Sequence, residues 1–258
     1  MKLIQDDCLA YLKSCNDNTF DMVMTSPPYD NIRSYGDVSC WNQTIWKEIL
    51  KELYRTVKNG GVVVWITNDS TVGGGETLSS FKQAIDVQNI GFLVHDTMIW
   101  KKTNFSNPSS TRYHQTFEYM FVFSKGKPKT FNPIMDRQNI YAGKIGSYGK
   151  NTVTQKDGSK KERPRKINSD FGMRHNVWEM KTSGQTGESK TFHHPAMFPL
   201  QLAKDHVISW SNEGDLILDP FMGSGTTGQA CVELKREFVG IEINKEYFDI
   251  ASKRLLNK

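Results

Sequence analysis

One segment in the last third of the chain constrains the fold more strongly than any other. Asp215–Asp219 predicts a buried strand, and the turn after it contains Gly223 and Gly225. A helix and a second strand follow, and this strand, Phe238–Glu242, ends in an acid. Two parallel strands joined by a glycine turn and a helix are typical of the nucleotide-binding half of a Rossmann-like α/β sheet. Glycine lets the backbone pass close to a ligand, and one carboxylate can accept hydrogen bonds from both hydroxyls of a ribose.

The residues of this turn distinguish between two ligands. Gly223-Ser224-Gly225-Thr226-Thr227-Gly228 matches G-x-G-x-x-G, and Glu242 lies 19 residues beyond Gly223, so a nicotinamide cofactor has to be considered. A P-loop is excluded, because no Gly-Lys-Ser/Thr follows. Asp219-Pro220-Phe221 places a carboxylate and an aromatic ring before the glycines, where a charged amino acid tail and a sulfonium could lie. We therefore favour S-adenosylmethionine, with an NAD-dependent oxidoreductase as the alternative.

A second constrained stretch, Thr25-Ser26-Pro27-Pro28-Tyr29, lies in the first thirty residues. It follows the apolar strand pattern of Asp21–Met24, and its two successive prolines end that strand. Proline fixes φ and donates no N–H, so the corner is a rigid backbone with carbonyl acceptors. Ser26, these carbonyls and the ring of Tyr29 suit a pocket for a flat base with an exocyclic amino group. A simple Pro-Pro turn is the alternative interpretation.

The sequence between these two stretches alternates strand and helix patterns, as in one doubly wound domain. Apolar residues at helical spacing predict a helix that ends at Gly60-Gly61. Val62–Thr67 is a continuous apolar run, which is typical of a central parallel strand. Leu93–Trp100 and Phe117–Phe123 predict two further strands, for which an antiparallel pairing is one arrangement.

The charged residues are unevenly distributed along the 258 residues. Residues 101–181 hold 17 Lys or Arg and 6 Asp or Glu, whereas the rest of the chain holds 16 Lys or Arg and 22 Asp or Glu. The formal net charge of the whole chain is +5. From Lys125 to Trp178 regular periodicity fades, and aromatic residues lie among the basic ones. Because such residues suit contacts to phosphates and bases, we interpret residues 127–190 as a target-recognition insert, with a flexible lid as the alternative. Residues 1–126 and 191–258 would be the catalytic and cofactor-binding parts of one domain.

Several classes of protein are disfavoured by what the sequence lacks. Its four cysteines contain no C-x-x-C pair, which argues against a zinc site or a disulfide frame and suits the cytoplasm. No Pro-Cys dipeptide occurs, so methylation of a ring carbon has no obvious cysteine nucleophile. Neither a run of 18 apolar residues nor a signal-peptide pattern is visible. We therefore expect a cytoplasmic enzyme without a metal and without a membrane segment.

Two of these motifs carry a specific resemblance. TSPPY and DPFMGSGTT are similar to the catalytic and cofactor motifs of the S-adenosylmethionine-dependent DNA amino-methyltransferases, and their order resembles the permuted beta class of that family. Gln5-Asp6-Asp7 is similar to the adenine-binding turn of the family, but departs slightly from the Gly-Asp that this turn usually contains. Five further segments also resemble motifs of the family, namely Gln5–Leu9, Val62–Thr67, Phe117–Gly126, His194–Pro199 and Phe238–Glu242. The resemblance therefore covers nearly the whole chain except residues from roughly 127 to 190.

The resemblance implies a fold and a set of site residues. The fold is a seven-stranded, mostly parallel sheet with helices on both faces, in which Asp215–Asp219 lies beside the catalytic strand. The implied catalytic residues are Ser26, Pro27, Pro28 and Tyr29. The implied cofactor residues are Asp7 for the adenine amino group, Glu242 for the ribose, Phe198 beside the methionine tail, and Asp219, Phe221, Gly223, Ser224 and Gly225 around the methionine portion.

The implied reaction is methyl transfer to the exocyclic amino group of a base flipped out of double-stranded DNA. Tyr29 would stack on that base, while Ser26 and the Pro27 carbonyl would accept hydrogen bonds from its amino group. In the family, Ser before Pro-Pro usually accompanies cytosine N4, and Asp or Asn accompanies adenine N6. We therefore favour cytosine N4 over adenine N6. An RNA substrate, a catalytically silent DNA-binding homologue, a separate restriction endonuclease as partner, and a monomer or homodimer all stay open.

Overall fold

The computed structural model of the protein describes residues 1–29, 41–105, 108–145, 152–162, 167–187 and 197–256. The chain divides into two compact units. The main unit comprises Met1–Asn132 and Asn176–Lys258, and the small unit comprises Pro133–His175. Within the described ranges, no helix is both long enough and apolar enough to cross a membrane.

Strands and helices alternate along the main unit, as the sequence predicts. Among the described residues, the strands are β1 Lys2–Gln5, β2 Phe20–Thr25, β3 Val57–Thr67, β4 Thr71–Val72, β5 Gly75–Glu76, β6 Leu93–Lys102, β7 Phe117–Ser124, β8 Arg137–Gln138, β9 Thr152–Thr154, β10 Lys160–Glu162, β11 Phe171–Gly172, β12 Val177–Met180, β13 Leu216–Asp219 and β14 Glu237–Glu242. The helices within the same ranges are α1 Cys8–Ser14, α2 Gln43–Thr56, α3 Ser79–Ile90, α4 Ser183–Thr186, α5 Leu200–Trp210, α6 Thr226–Glu233 and α7 Lys245–Leu256.

One sheet of eight strands organises the main unit, in the order β1-β14-β13-β2-β3-β7-β6-β12. From β1 to β3 in this order, each strand runs parallel to its neighbour. β7 runs antiparallel to both β3 and β6, whereas β12 runs parallel to β6. The predicted mostly parallel sheet and the antiparallel pair are confirmed. The sheet has one strand more than the seven expected, because Val177–Met180 pairs with β6 although it lies within residues 127–190.

The central strands are buried on both faces, since successive side chains of a strand point in opposite directions. Met22 and Met24 belong to one buried cluster, together with apolar residues of α5, α6 and α7. Val23 belongs to a second cluster, which also contains Ile49 and Leu53 of α2. Two layers of helices thus cover the sheet and hold the ends of its strands in place.

The junction between α2 and β3 differs from the sequence expectation. α2 ends at Thr56, and Val57 already pairs with β2. The prediction that Gly60-Gly61 ends the helix was wrong, because both glycines lie inside β3. Gly60 adopts a φ of +81° there, and its N–H donates to the Lys125 carbonyl at 2.7 Å. The glycines therefore allow an irregular backbone within the strand.

The small unit consists of short antiparallel pairs. β8 pairs with β11, β9 pairs with β10, and Ile145 forms an isolated bridge with Ile167. Some of its apolar side chains are largely exposed, including Ile140 at 84% and Phe171 at 51%. Its bounds are narrower than residues 127–190, and the role of that range in target recognition stays a prediction.

Candidate active site

The predicted site residues lie where neighbouring parallel strands end. Ser26 directly follows β2, Asp219 ends β13 and Glu242 ends β14. β13 lies between the other two strands and runs parallel to both, so the three carboxyl ends meet at one edge of the sheet. The prediction that Asp215–Asp219 lies beside the catalytic strand is confirmed. In open α/β sheets this edge is where ligands bind.

Asp219 connects β13 with β2 through a buried carboxylate. Its Oδ1 accepts the Thr25 hydroxyl at 2.6 Å and the Phe221 N–H at 3.1 Å, and its Oδ2 accepts the Thr227 hydroxyl at 2.7 Å. Burial raises the pKa of the Asp219 carboxyl group to about 6, although the hydrogen bonds from Thr25 and Thr227 lower it. Three of its roughly four acceptor positions are already filled by donors of the protein, so the observed role of Asp219 is to hold the turn against β2. Direct contact with a cofactor stays a prediction.

The glycine turn after β13 is tied to the end of β14. Gly223 and Gly225 adopt φ angles of +53° and +82°, which residues with a side chain rarely adopt. The Gly223 N–H donates to Glu242 Oε2 at 2.9 Å, and the Asn244 N–H donates to Glu242 Oε1 at 2.8 Å. The carboxylate is therefore held in one orientation beside the turn.

Glu242 has the acceptor capacity that a ribose requires. Burial raises the pKa of its carboxyl group, while the backbone hydrogen bonds from Asn244 and Gly223 lower it. An ionised carboxylate has about four acceptor positions, so each oxygen can accept one further hydrogen bond beside the N–H that it already holds. Two acceptor positions on one carboxylate match the two hydroxyls of a ribose. The residues present therefore fit the adenosine part of the predicted cofactor.

Other residues of the glycine motif serve packing. A Cβ at Gly228 would lie 2.7 Å from side-chain atoms of both Phe238 and Leu255, so this glycine lets α6 approach β14 and α7 closely. Ser224 is 2% exposed, and its carbonyl accepts a hydrogen bond from Arg254 at 3.2 Å. The structure thus encloses Ser224 within the turn, and its contact with a cofactor stays a prediction.

The two phenylalanines predicted for the methionine portion pack against different core clusters. Phe221 lies edge-on against Trp41, with ring centroids 5.5 Å apart, and belongs with the α2 side of the sheet. Phe198 packs against the cluster that contains Met24. Trp41, which the sequence reasoning missed, has a buried Nε1 without a hydrogen-bond acceptor among the described residues. Its electron-rich ring beside Phe221 suits a cationic group such as a sulfonium.

Asp7 lies just beyond the end of β1 and caps the helix that follows. β1 pairs with β14 so that Gln5 is opposite Glu242, and Asp7 follows two residues later. Its Oδ1 accepts the Ala10 N–H at 2.8 Å, which makes Asp7 the N-cap of α1. The position agrees with an adenine site at this edge, and the contact with the adenine amino group stays a prediction.

The Ser-Pro-Pro-Tyr corner carries a chain of hydrogen bonds. The Ser26 hydroxyl donates to the Tyr29 oxygen at 3.1 Å, and the Tyr29 hydroxyl donates to Glu118 Oε2 at 2.7 Å. Pro27 is buried, whereas Ser26, Pro28 and Tyr29 are partly exposed. The rigid proline pair thus holds a hydroxyl and an aromatic ring at the edge where β2 ends.

Glu118 and Lys102 are candidates for function that the sequence reasoning missed. Lys102 Nζ lies 2.6 Å from Glu118 Oε1, and their side chains are 13% and 12% exposed. The antiparallel pairing of β6 with β7 brings the two residues together. The available signal was a glutamate inside the apolar strand Phe117–Ser124, because a buried carboxylate requires a charged or hydrogen-bonding partner.

Sequence comparison shows similarity to one family along most of the chain. A family model described as DNA methylase, of N6 and N4 type, matches residues 20–253. The orphan methyltransferase M.BamHII of Bacillus amyloliquefaciens is 47% identical over 249 residues, which cover 95% of this chain and 92% of that relative.

Solved structures share the fold. The PvuII DNA methyltransferase, described as cytosine-N4-specific, superposes with a TM-score of 0.69 at 20% identity, covering 98% of this chain and 85% of that one. The complex of M1.HpyAVI with SAM has a TM-score of 0.62 at 23% identity and covers 98% of this chain and 99% of that one. The predicted methyltransferase type of α/β sheet is thereby confirmed.

Proposed function

This chain belongs to the DNA methylase family of N6 and N4 type, and on that premise we propose that it methylates the N4 amino group of cytosine in double-stranded DNA. Enzymes of this family are S-adenosylmethionine-dependent DNA methyltransferases that act on cytosine N4 or adenine N6. The choice of cytosine and the roles of individual residues are the proposed part.

The observation that supports cytosine is the neutral hydroxyl of Ser26 before the two prolines. Its O–H donates to Tyr29, so the oxygen keeps lone pairs with which to accept an N–H from a base. Serine at this position resembles the cytosine N4 members of the family, whereas adenine N6 members usually have Asp or Asn. The PvuII enzyme, described as cytosine-N4-specific, has a fold of the same kind.

The cofactor would be held by residues around the glycine turn. Glu242 would accept the ribose hydroxyls, and Asp7 would accept the adenine amino group. S-adenosylmethionine, when bound, supplies an electrophilic methyl group. The methionine portion would be enclosed by the turn that Asp219 shapes and by the residues Phe198, Phe221, Gly223, Ser224 and Gly225.

The residues of the Ser-Pro-Pro-Tyr corner would orient the base. The base has to be flipped out first, because its amino group is unreachable while paired. Tyr29 would stack on the base, and Ser26 Oγ and the Pro27 carbonyl would accept hydrogen bonds from the amino group. These acceptors draw the nitrogen lone pair out of ring conjugation, and Pro28 keeps the corner rigid. Positioning and preset dipoles would supply most of the rate enhancement.

The small unit and the residues next to it would form the DNA-binding insert, for which we keep the range 127–190. Residues 133–175 hold 10 Lys or Arg against 4 Asp or Glu, which suits a phosphate backbone. The exposed Ile140 and Phe171 offer apolar contacts beside those charges. Weakening of DNA binding with rising salt concentration is the expected signature.

The remaining expectations on partners and location belong to the same proposal. The enzyme would act in the cytoplasm on chromosomal DNA, as a monomer or homodimer. A cognate restriction endonuclease would be a separate polypeptide. Co-expression and sedimentation of the purified protein would test these two points.

Analysis of DNA from an expressing host tests the proposed base directly. We would express the protein in a host without cytosine-N4 or adenine-N6 methylation, digest the DNA to nucleosides and measure their masses, with an empty vector as control. We expect N4-methylcytosine. Detection of N6-methyladenine alone would overturn the choice of cytosine. If neither base appears and the purified protein binds NAD but not S-adenosylmethionine, the methyltransferase function itself is contradicted.

A further inference from the structure

A largely buried ion pair is connected to the proposed catalytic serine through Tyr29. The hydrogen bonds run from Ser26 to Tyr29 at 3.1 Å and from Tyr29 to Glu118 at 2.7 Å, and Lys102 Nζ lies 2.6 Å from the other Glu118 oxygen. Glu118 is largely buried and lies on β7, 89 residues from Tyr29 in sequence. A carboxylate and an ammonium group in this position need a reason, because apolar residues usually fill the interior of such a strand.

The chemistry of these groups fixes the direction of every hydrogen bond in the chain. An ammonium group can only donate and an ionised carboxylate can only accept, so Lys102 holds Glu118 as an acceptor. The Tyr29 hydroxyl must then donate to Glu118, which leaves the Tyr29 oxygen to accept from Ser26. With its hydrogen directed at Tyr29, the Ser26 oxygen has only lone pairs to offer to a third group.

We propose that Glu118 is a positioning residue that sets the hydroxyl of Ser26 as an acceptor for the amino group of the target base. This inference rests on the proposed function, because an acceptor at Ser26 matters only if a base with an N–H donor binds there. Without Glu118, the Ser26 hydroxyl could turn its hydrogen toward the base, where two donors would face each other. Tyr29 thus has two roles, with its ring toward the base and its hydroxyl toward Glu118.

The polarity of the chain gives the substitution Glu118→Gln a specific consequence. Lys102 requires the amide oxygen of the new side chain, so the amide N–H₂ would face Tyr29. Tyr29 would then accept a hydrogen bond and could donate its own hydrogen to Ser26, which reverses the chain. We expect the single-turnover rate of methyl transfer to fall roughly tenfold to a hundredfold, with the Kd values for S-adenosylmethionine and DNA within about twofold of wild type.

The effect of Glu118→Gln should depend on the Tyr29 hydroxyl. Tyr29→Phe keeps the aromatic ring but breaks the chain, and we expect it to lower the rate about tenfold. In that background Glu118→Gln should change the rate by less than about twofold, because Glu118 no longer has a route to Ser26. A purely structural role of Glu118 would instead lower the rate by the same factor in both backgrounds.

The experiment combines these variants with a matched control. Glu48→Gln removes the negative charge from another Glu–Lys pair, in which Lys51 Nζ lies 2.7 Å from Glu48 Oε1, but this pair is exposed on α2. All variants would be assayed in single turnover on a DNA duplex that carries the site found by modification-sensitive sequencing, with thermal melting as a check of folding. A wild-type rate for Glu118→Gln, or multiplicative effects of Glu118→Gln and Tyr29→Phe, would overturn the inference. A wild-type protein that methylates no DNA would overturn the proposed function instead, so the two failures are distinguishable.

Discussion

The Thr25 hydroxyl donates a hydrogen bond of 2.6 Å to Asp219 Oδ1, across 194 residues of sequence. This contact joins the last residue of the strand that leads to Ser26 with the last residue of the strand that leads to the glycine turn. The two halves of the proposed site, one for the base and one for the cofactor, are therefore attached to each other by a buried hydrogen bond.

Replacement of Thr25 by valine should lower the stability of the fold, because Asp219 loses one of its hydrogen-bond donors. Valine keeps the shape of threonine, so the change tests the hydrogen bond rather than the packing. We expect the free energy of unfolding to fall by about 1 to 3 kcal/mol, because the lost bond is buried and involves a carboxylate. Urea unfolding measures this loss. Thr97→Val on the exposed face of β6 is the control, and an equal loss there would contradict the assignment.

Asp219 should make the stability of the protein depend on pH. Burial raises its pKa in the folded state to about 6, above the value of roughly 3.9 in an unfolded chain. The stabilising contribution is therefore fully present below about pH 4 and is lost as the pH rises through about 6. Relative to Asp219→Asn, the wild type should lose about 3 kcal/mol of unfolding free energy between about pH 3 and about pH 7, measured by urea titration at each pH. If the difference in unfolding free energy between the wild type and Asp219→Asn does not change with pH, the pKa of Asp219 is not raised in the folded protein.

Glu242→Gln should weaken binding of S-adenosylmethionine without preventing folding. The amide replaces a charged acceptor by one that has a single oxygen, and it turns an N–H₂ group toward either Gly223 or Asn244. We expect the Kd for S-adenosylmethionine to rise roughly tenfold to a hundredfold, as for loss of a hydrogen bond to a charged group. Calorimetry measures this change. Glu237→Gln, at the exposed start of the same strand, should leave the Kd unaltered.

Gly228→Ala should destabilise the fold through crowding. The added Cβ would lie 2.7 Å from atoms of Phe238 and Leu255, so α6, α7 or β14 would have to shift. We expect a loss of about 1 to 3 kcal/mol in the free energy of unfolding. Gly75→Ala is the matched control, because an added Cβ there would lie 3.9 Å from the Val72 carbonyl oxygen, at ordinary contact distance. Equal stabilities of the two variants would show that the close packing at Gly228 is not required.

Those residues of the proposed site that are marked by their neighbours in sequence could be predicted from the sequence. The turn from Asp219 to Gly225 depends on glycine conformations within a few residues, and Glu242 follows from the strand that ends beside it. The resemblance to the amino-methyltransferases then implied that β13 lies beside the catalytic strand, which the structure confirms. Ser26 and Tyr29 were predicted from an equally local signal, because two prolines mark their corner.

Contacts that depend on the pairing of distant strands could not be predicted. Glu118 meets Lys102 and Tyr29 only because β7 pairs with β6 on one side and with β3 on the other. The glycines at 60 and 61 misled the prediction of the helix end, because glycine marks an irregular strand as well as a helix end. The strand Val177–Met180 lacked any local signal, since its burial comes from pairing with β6.

Single-turnover kinetics of Ser26→Ala tests the central claim most directly. The variant lacks the hydroxyl that would accept the amino N–H, whereas Ser14→Ala at the exposed end of α1 serves as the control. The assay uses saturating S-adenosylmethionine and an unmethylated DNA duplex that contains the recognition site. Under these conditions we predict that Ser26→Ala lowers the rate of methyl transfer by roughly 10²-fold or more. The Kd values for cofactor and DNA should stay within about twofold of wild type, as for Ser14→Ala. A Ser26→Ala enzyme that transfers methyl groups at the wild-type rate would contradict the account.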